Sequence, residues 1–112
     1  MAVEALDSLT RCLSRLPGIG RRSAARMAMR LVADPDGLLR SLVEALEAAA
    51  SHVRFCGRCG AVTDTAHDPC RLCTDPGRDD TLLCVVESPG DIAGIEAAGA
   101  YRGRYHALMG KL

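Results

Sequence analysis

The chain has 112 residues and a mass of 11.9 kDa, enough for one small domain or a few miniature modules with a modest core. Hydrophobic residues make up 48%, which argues against a disordered chain, and aromatics only 3%, which argues against binding nucleobases by stacking. Fourteen Lys and Arg balance fourteen Asp and Glu, so there is neither a uniformly basic coat nor an acidic tail.

Met1-Ala2-Val3-Glu4 is acidic where a secretory signal opens basic, and no apolar run nears the roughly 18 residues of a membrane span. The expectation is a cytoplasmic protein that makes no use of a membrane. Leu6, Leu9, Leu13 and Leu16 recur at helical spacing and predict a first helix over residues 3–16. Leu16-Pro17-Gly18-Ile19-Gly20 breaks it, and a second helix follows over residues 21–32 with Ala24, Ala28 and Leu31 along one face. Asp34-Pro35 is helix-start chemistry, and the apolar stripe from Leu38 to Val53 carries a third helix to about Arg54. Met27 and Met29 read as helix and core filler, and His52 as a surface residue.

Residues 55–82 lack a periodic apolar face and could not fold on burial alone. Leu82-Leu83-Cys84-Val85-Val86 is a continuous apolar run, as in a parallel strand covered on both faces. Ser88-Pro89 opens a short helix carrying Ile92 and Ile95, Gly99 stops it, and Arg104 to Met109 reads as a second strand. One β-α-β unit results. Two strands leave apolar faces and edges bare, so the chain is expected to be the front part of a longer protein rather than a unit completed by another chain.

Charge is distributed unevenly. Residues 1–33 hold six arginines, Arg11, Arg15, Arg21, Arg22, Arg26 and Arg30, against Glu4 and Asp7, a local net of +4. Guanidinium groups match phosphate oxygens with paired donors, although a solvated helix face is the plainer reading. Gly18 and Gly20 permit backbone geometry closed to other residues and expose amide N–H groups. The second helix starts there, so its positive end faces outward, with Arg21, Arg22 and Arg26 within about a turn. Such a device grips phosphates without reading bases, so DNA binding through Gly18, Gly20, Arg21, Arg22 and Arg26 should be independent of sequence. A plain turn between two helices is the alternative.

The strongest signal is Cys56-Gly57-Arg58-Cys59, ten further residues, then Cys70-Arg71-Leu72-Cys73. Two C-x-x-C knuckles bring four thiolates to one tetrahedral ion, and four protein ligands leave no position for a catalytic water. Cys56, Cys59, Cys70 and Cys73 are therefore expected to hold one structural Zn²⁺, with Gly57 and Gly60 shaping the first knuckle. Two local disulfides, or redox work by a single C-x-x-C, are the rivals. His67 is a spare ligand at most. Cys12 and Cys84 lie among apolar residues and read as small hydrophobes.

The Pro-Gly-Ile-Gly segment resembles a helix-hairpin-helix. Combined with the cysteine quartet, Cys84-Val85-Val86-Glu87-Ser88-Pro89, Gly103-Arg104-Tyr105-His106 and Leu108-Met109-Gly110, it resembles the N-terminal part of the RecR family of recombination mediator proteins. The resemblance implies an α+β chain: a helical helix-hairpin-helix domain (1–54), a four-cysteine zinc finger (55–81) and the opening β-α-β of a Toprim domain (82–112). It also implies a non-enzymatic, DNA-binding scaffold of bacterial recombinational repair, associated with the nucleoid. The family assembles as dimers or ring tetramers and acts with RecO and RecF to load the RecA recombinase at gapped or single-stranded DNA. Its basic contact positions fall on Arg22 and Arg26, although Arg21-Arg22 stands where a proline and a lysine are usual.

In catalytic Toprim proteins the first strand ends in a glutamate, here Glu87, which works with an Asp-x-Asp pair on a later strand. No such pair occurs, and Asp79-Asp80 is expected to precede the strand, so Glu87 reads as a partner-contact residue. A Toprim-type Mg²⁺-dependent nuclease or topoisomerase lacking its metal half, and a zinc-stabilised protein-interaction module, are the alternative functions.

Overall fold

Leucines at positions 6, 9 and 13 turn one side of Glu4–Ser14 partly inward, and this stretch is helix α1 in the computed structural model, which describes residues 2–109. The elbow follows, and α2 runs Arg21–Val32, as its apolar spacing predicts, with Ala24, Ala28 and Leu31 buried. Met27 and Met29 are not core filler: they are 42% and 57% exposed, because the small Ala24 and Ala28 take the inner face. Cys12 is likewise exposed rather than packed.

The third helix does not begin as an α-helix. Asp34 accepts hydrogen bonds from the Gly37 and Leu38 N–H groups, and Leu39 N–H reaches back to the Asp34 carbonyl, so Pro35–Leu39 winds as a π-helical turn. The α-helix α3 then covers Arg40–His52 and buries no residue fully, its Val43 and Leu46 being exposed. It stops before Arg54 because Val53–Phe55 extends as strand β1 and pairs antiparallel with β2 (Val62–Asp64). His52 is exposed, as expected. The chain divides into two compact units, Met1–Glu47 and Ala48–Leu112.

In the second unit a short helix α4 (Arg71–Thr74) precedes strand β3 (Asp79–Val86), helix α5 (Pro89–Ala98) and strand β4 (Gly103–Ala107). The β-α-β reading holds: β3 and β4 pair in parallel, with Cys84 opposite Tyr105 and Val86 opposite Ala107. Asp91, at the third position of α5, accepts from the Ser88 N–H, and Gly99 closes the helix at φ 72°.

Two expectations need correction here. β3 starts at Asp79, whose N–H donates to the Arg102 carbonyl at 2.8 Å, so Asp79-Asp80 lies within the strand. The strand is also not covered on both faces, since Leu82, Leu83 and Val85 are exposed beside a single neighbour. Gly110 and the rest of the C-terminal stretch assigned to the Toprim-like unit lie outside the described residues.

The core of this unit gathers Cys56, Cys59, Ala61, Cys70, Ile92, Tyr105 and Ala107. The fold is therefore α+β: helices, two small sheets and a cysteine cluster. Among the described residues, no helix is long and apolar enough to cross a membrane.

Candidate functional site

The cysteine quartet is assembled from two knuckles. β1 delivers Cys56, whose N–H donates to the Ala61 carbonyl at 2.7 Å, while Gly60 N–H returns to the Cys56 carbonyl at 2.9 Å. Gly60 closes this turn at φ 87°, and a Cβ there would stand 2.9 Å from the Ala107 Cβ, so both conformation and space call for glycine. The second knuckle places Cys70 immediately before α4 and Cys73 within it. Asp68 ties the knuckles together, accepting from the Gly57 N–H at 2.9 Å and pairing with Arg54 at 3.1 Å.

All four Sγ atoms lie within 4.8 Å of one another, and this is the only such convergence of His, Cys, Asp or Glu donors among the described residues. Two separations between the knuckles are 3.8 Å for Cys56–Cys73 and 3.5 Å for Cys59–Cys70. Sulfurs at the corners of a tetrahedron around an ion about 2.3 Å away would sit about 3.8 Å apart. The quartet fits a metal ion. All four cysteines are free thiols, with neither of the two local disulfides formed.

Burial pushes the Cys56 thiol up, but N–H groups of Cys59, Cys70 and Arg58 aimed at its sulfur outweigh this and bring its pKa down to about 6. Burial raises Cys59 to about 11, and it raises Cys73 as well, with Cys59 beside it adding to the rise. His67 does not join the quartet: its ring lies between Asp64 and Arg71.

The elbow between α1 and α2 belongs to the first unit. Gly18 takes φ 83°, and Ile19 N–H closes the turn onto the Leu16 carbonyl at 3.2 Å. Gly20 is different from expectation. At φ −83° and ψ 174° it is extended backbone open to any residue, with nothing within 4 Å of a would-be Cβ. It caps α2 without a side chain, and the first turn of α2 carries no acidic residue. The N–H groups of Arg21, Arg22 and Ser23 therefore have no partner within the helix.

Arg21, Arg22 and Arg26 are all exposed, and among the described residues none forms a salt bridge. Arg30 continues the row from Arg22 and Arg26 at four-residue spacing. Arg26 and Arg30 rim an apolar cavity floored by Leu13, Leu31, Leu38 and Leu42.

Glu87 follows β3 and is exposed, its carbonyl accepting from the Met109 N–H at 2.9 Å. No trio of metal-capable side chains includes it among the described residues. Cys84 is half-buried and packs against the core.

A family model described as the RecR helix-hairpin-helix matches residues 6–50. The chain is 50% identical over 107 residues to "Recombination protein RecR" of Granulibacter bethesdensis, covering 96% of this chain and 52% of that protein. It is 45% identical over all 112 residues to the protein of the same name from Rhodospirillum rubrum, covering 56% of it. To that of Thermobifida fusca it is 45% identical over 108 residues, with 96% and 53% covered. The chain thus spans about half the length of the curated relatives it matches.

Proposed function

Because the chain belongs to the RecR family, we propose that it is a non-enzymatic, DNA-binding scaffold of recombinational repair, working in the bacterial cytoplasm at the nucleoid. The observation that carries this reading is the uncapped N-terminus of α2, presented by the Gly18 turn and flanked by unpaired Arg21, Arg22 and Arg26. Three free N–H groups, the helix dipole and the guanidinium row all favour an anion at one place. Arginines at four-residue spacing repel each other on a bare helix, and a polyanion removes that cost. The contacts are to phosphates, so binding is independent of base sequence.

Cys56, Cys59, Cys70 and Cys73 hold one structural Zn²⁺ in this reading. When bound, the ion neutralises the thiolates and pins the two knuckles. Thiolate donors suit zinc, and four of them fill its tetrahedral shell. The division into a helix-hairpin-helix domain (1–54), a zinc finger (55–81) and a partial Toprim domain (82–112) belongs to the same proposal. So do RecO and RecF as partners, RecA loading at gapped or single-stranded DNA, assembly as a dimer or ring tetramer, and Glu87 as a partner-contact residue. Catalysis is not part of this reading.

The test is fluorescence anisotropy of the chain on two unrelated oligonucleotide duplexes across a salt series. If three arginines each neutralise one phosphate, the log–log slope is about −2.7, and Arg22→Ala flattens it by nearly one unit on both sequences. A loss confined to one sequence, or no binding at the lowest salt, would overturn the reading.

A further inference from the structure

We infer that strand β4 is the common anchor of both cysteine knuckles and that Arg104 is a positioning residue for the metal they hold. This rests on the reading that the quartet binds a metal ion. The Arg104 guanidinium reaches out of β4 to the second knuckle, where Nη1 donates to the Leu72 carbonyl at 2.7 Å and to the Cys73 carbonyl at 3.1 Å. Nε donates to Asp80 Oδ1 on β3 at 2.7 Å, which fixes the plane of the fork.

Three residues further along the same strand, Ala107 N–H donates to the Cys59 carbonyl at 2.8 Å, and the Ala107 side chain fills the space that Gly60 leaves open. One five-residue strand therefore bonds a ligand residue of each knuckle through its backbone carbonyl. Those carbonyls belong to the peptide units that orient Cys59 and Cys73. Groups that hold ligands in place contribute to metal affinity although they never touch the ion, and their removal costs about 10–100-fold.

The coupling runs both ways. Anything that fixes the knuckles also fixes β4, since a favourable interaction between two events strengthens each equally. Arginine suits the task better than lysine because one planar group must serve a carboxylate and two carbonyls in fixed directions.

The experiment titrates the full chain with Co²⁺, whose thiolate charge-transfer absorption reports the coordination sphere directly, followed by competition with Zn²⁺. Arg104→Ala is expected to weaken Co²⁺ affinity about tenfold and to perturb the absorption envelope. Arg104→Lys recovers part of the loss. Arg102→Ala, which removes the same charge from an exposed position just before β4, leaves affinity unchanged. Asp80→Ala, at a side chain 82% exposed, frees the fork without opening the core and gives a smaller loss in the same direction. It decides the matter if Arg104→Ala fails to fold. Wild-type affinity and spectrum in the Arg104 and Asp80 variants would overturn the inference. A wild-type chain that binds neither ion would overturn the metal reading itself.

Discussion

The Arg78 guanidinium, with a side chain 5% exposed, meets the Glu96 carboxylate through both terminal nitrogens and also donates to the Gly103 carbonyl at 3.2 Å. Tyr105 donates its hydroxyl to the same carboxylate. Breaking such a pair strands a charge, so Arg78→Ala should cost about 3 kcal/mol, read from the shift of the urea midpoint. The Arg78 hydrogen bonds hold the Glu96 carboxyl below its ordinary value. Its stabilisation is therefore complete above the unfolded glutamate value of about 4.3 and is lost as pH falls through the lowered native one. Glu96→Gln should be less stable than wild type at neutral pH and equal to it once both are well into acid. A gap that persists unchanged into acid would refute the assignment. On the alkaline side, burial and the neighbouring carboxylate push Tyr105 up to about 12, so its contribution is present below about 10 and fades as pH climbs through that higher value.

The elbow separates two glycines that look alike in sequence. Gly18 occupies the left-handed region, where a Cβ costs about 1 kcal/mol, whereas Gly20 is extended and unobstructed. Gly18→Ala should lower the thermal midpoint. Gly20→Ala should leave the midpoint in place yet weaken oligonucleotide binding, because a methyl group there stands beside the free N–H groups of α2. Equal effects of both substitutions on stability would contradict the geometry. Sequence could not distinguish them: a Gly-x-Gly pattern shows that glycine is present, and only the dihedral angles show which one is required.

The start and end of α2 were legible because Ala24, Ala28 and Leu31 mark one face between the Gly18-Ile19-Gly20 break and Asp34-Pro35. The π-helical opening at Pro35–Leu39 was not, since it depends on which N–H groups Asp34 captures. The start of β3 was missed for a related reason: Asp79 and Asp80 carry no strand propensity and are held by Arg102 and Arg104 instead.

At the level of the whole chain, spacing alone placed the four cysteines together, because two short knuckles admit few other arrangements. The role of Arg104 was hidden, since its partners are carbonyls 31 and 32 residues away. Burial was misjudged where the sequence was most apolar: Leu82, Leu83, Val85, Val43 and Leu46 are all exposed. Surface of this kind favours association, so sedimentation of the 112-residue chain should show oligomers or aggregates, and a clean monomer would count against it.

In the second unit the largest fully enclosed side chains are one isoleucine, Ile92, and one sulfur bearer, Cys59. Cys56, Cys59 and Cys70 share this core with Ala61, Ile92, Tyr105 and Ala107, so the chemical state of the sulfurs bears on the persistence of the fold. An oxidant such as peroxide, by stripping these sulfurs of electrons, would loosen this core and, with the ion proposed above in place, release it in the same event.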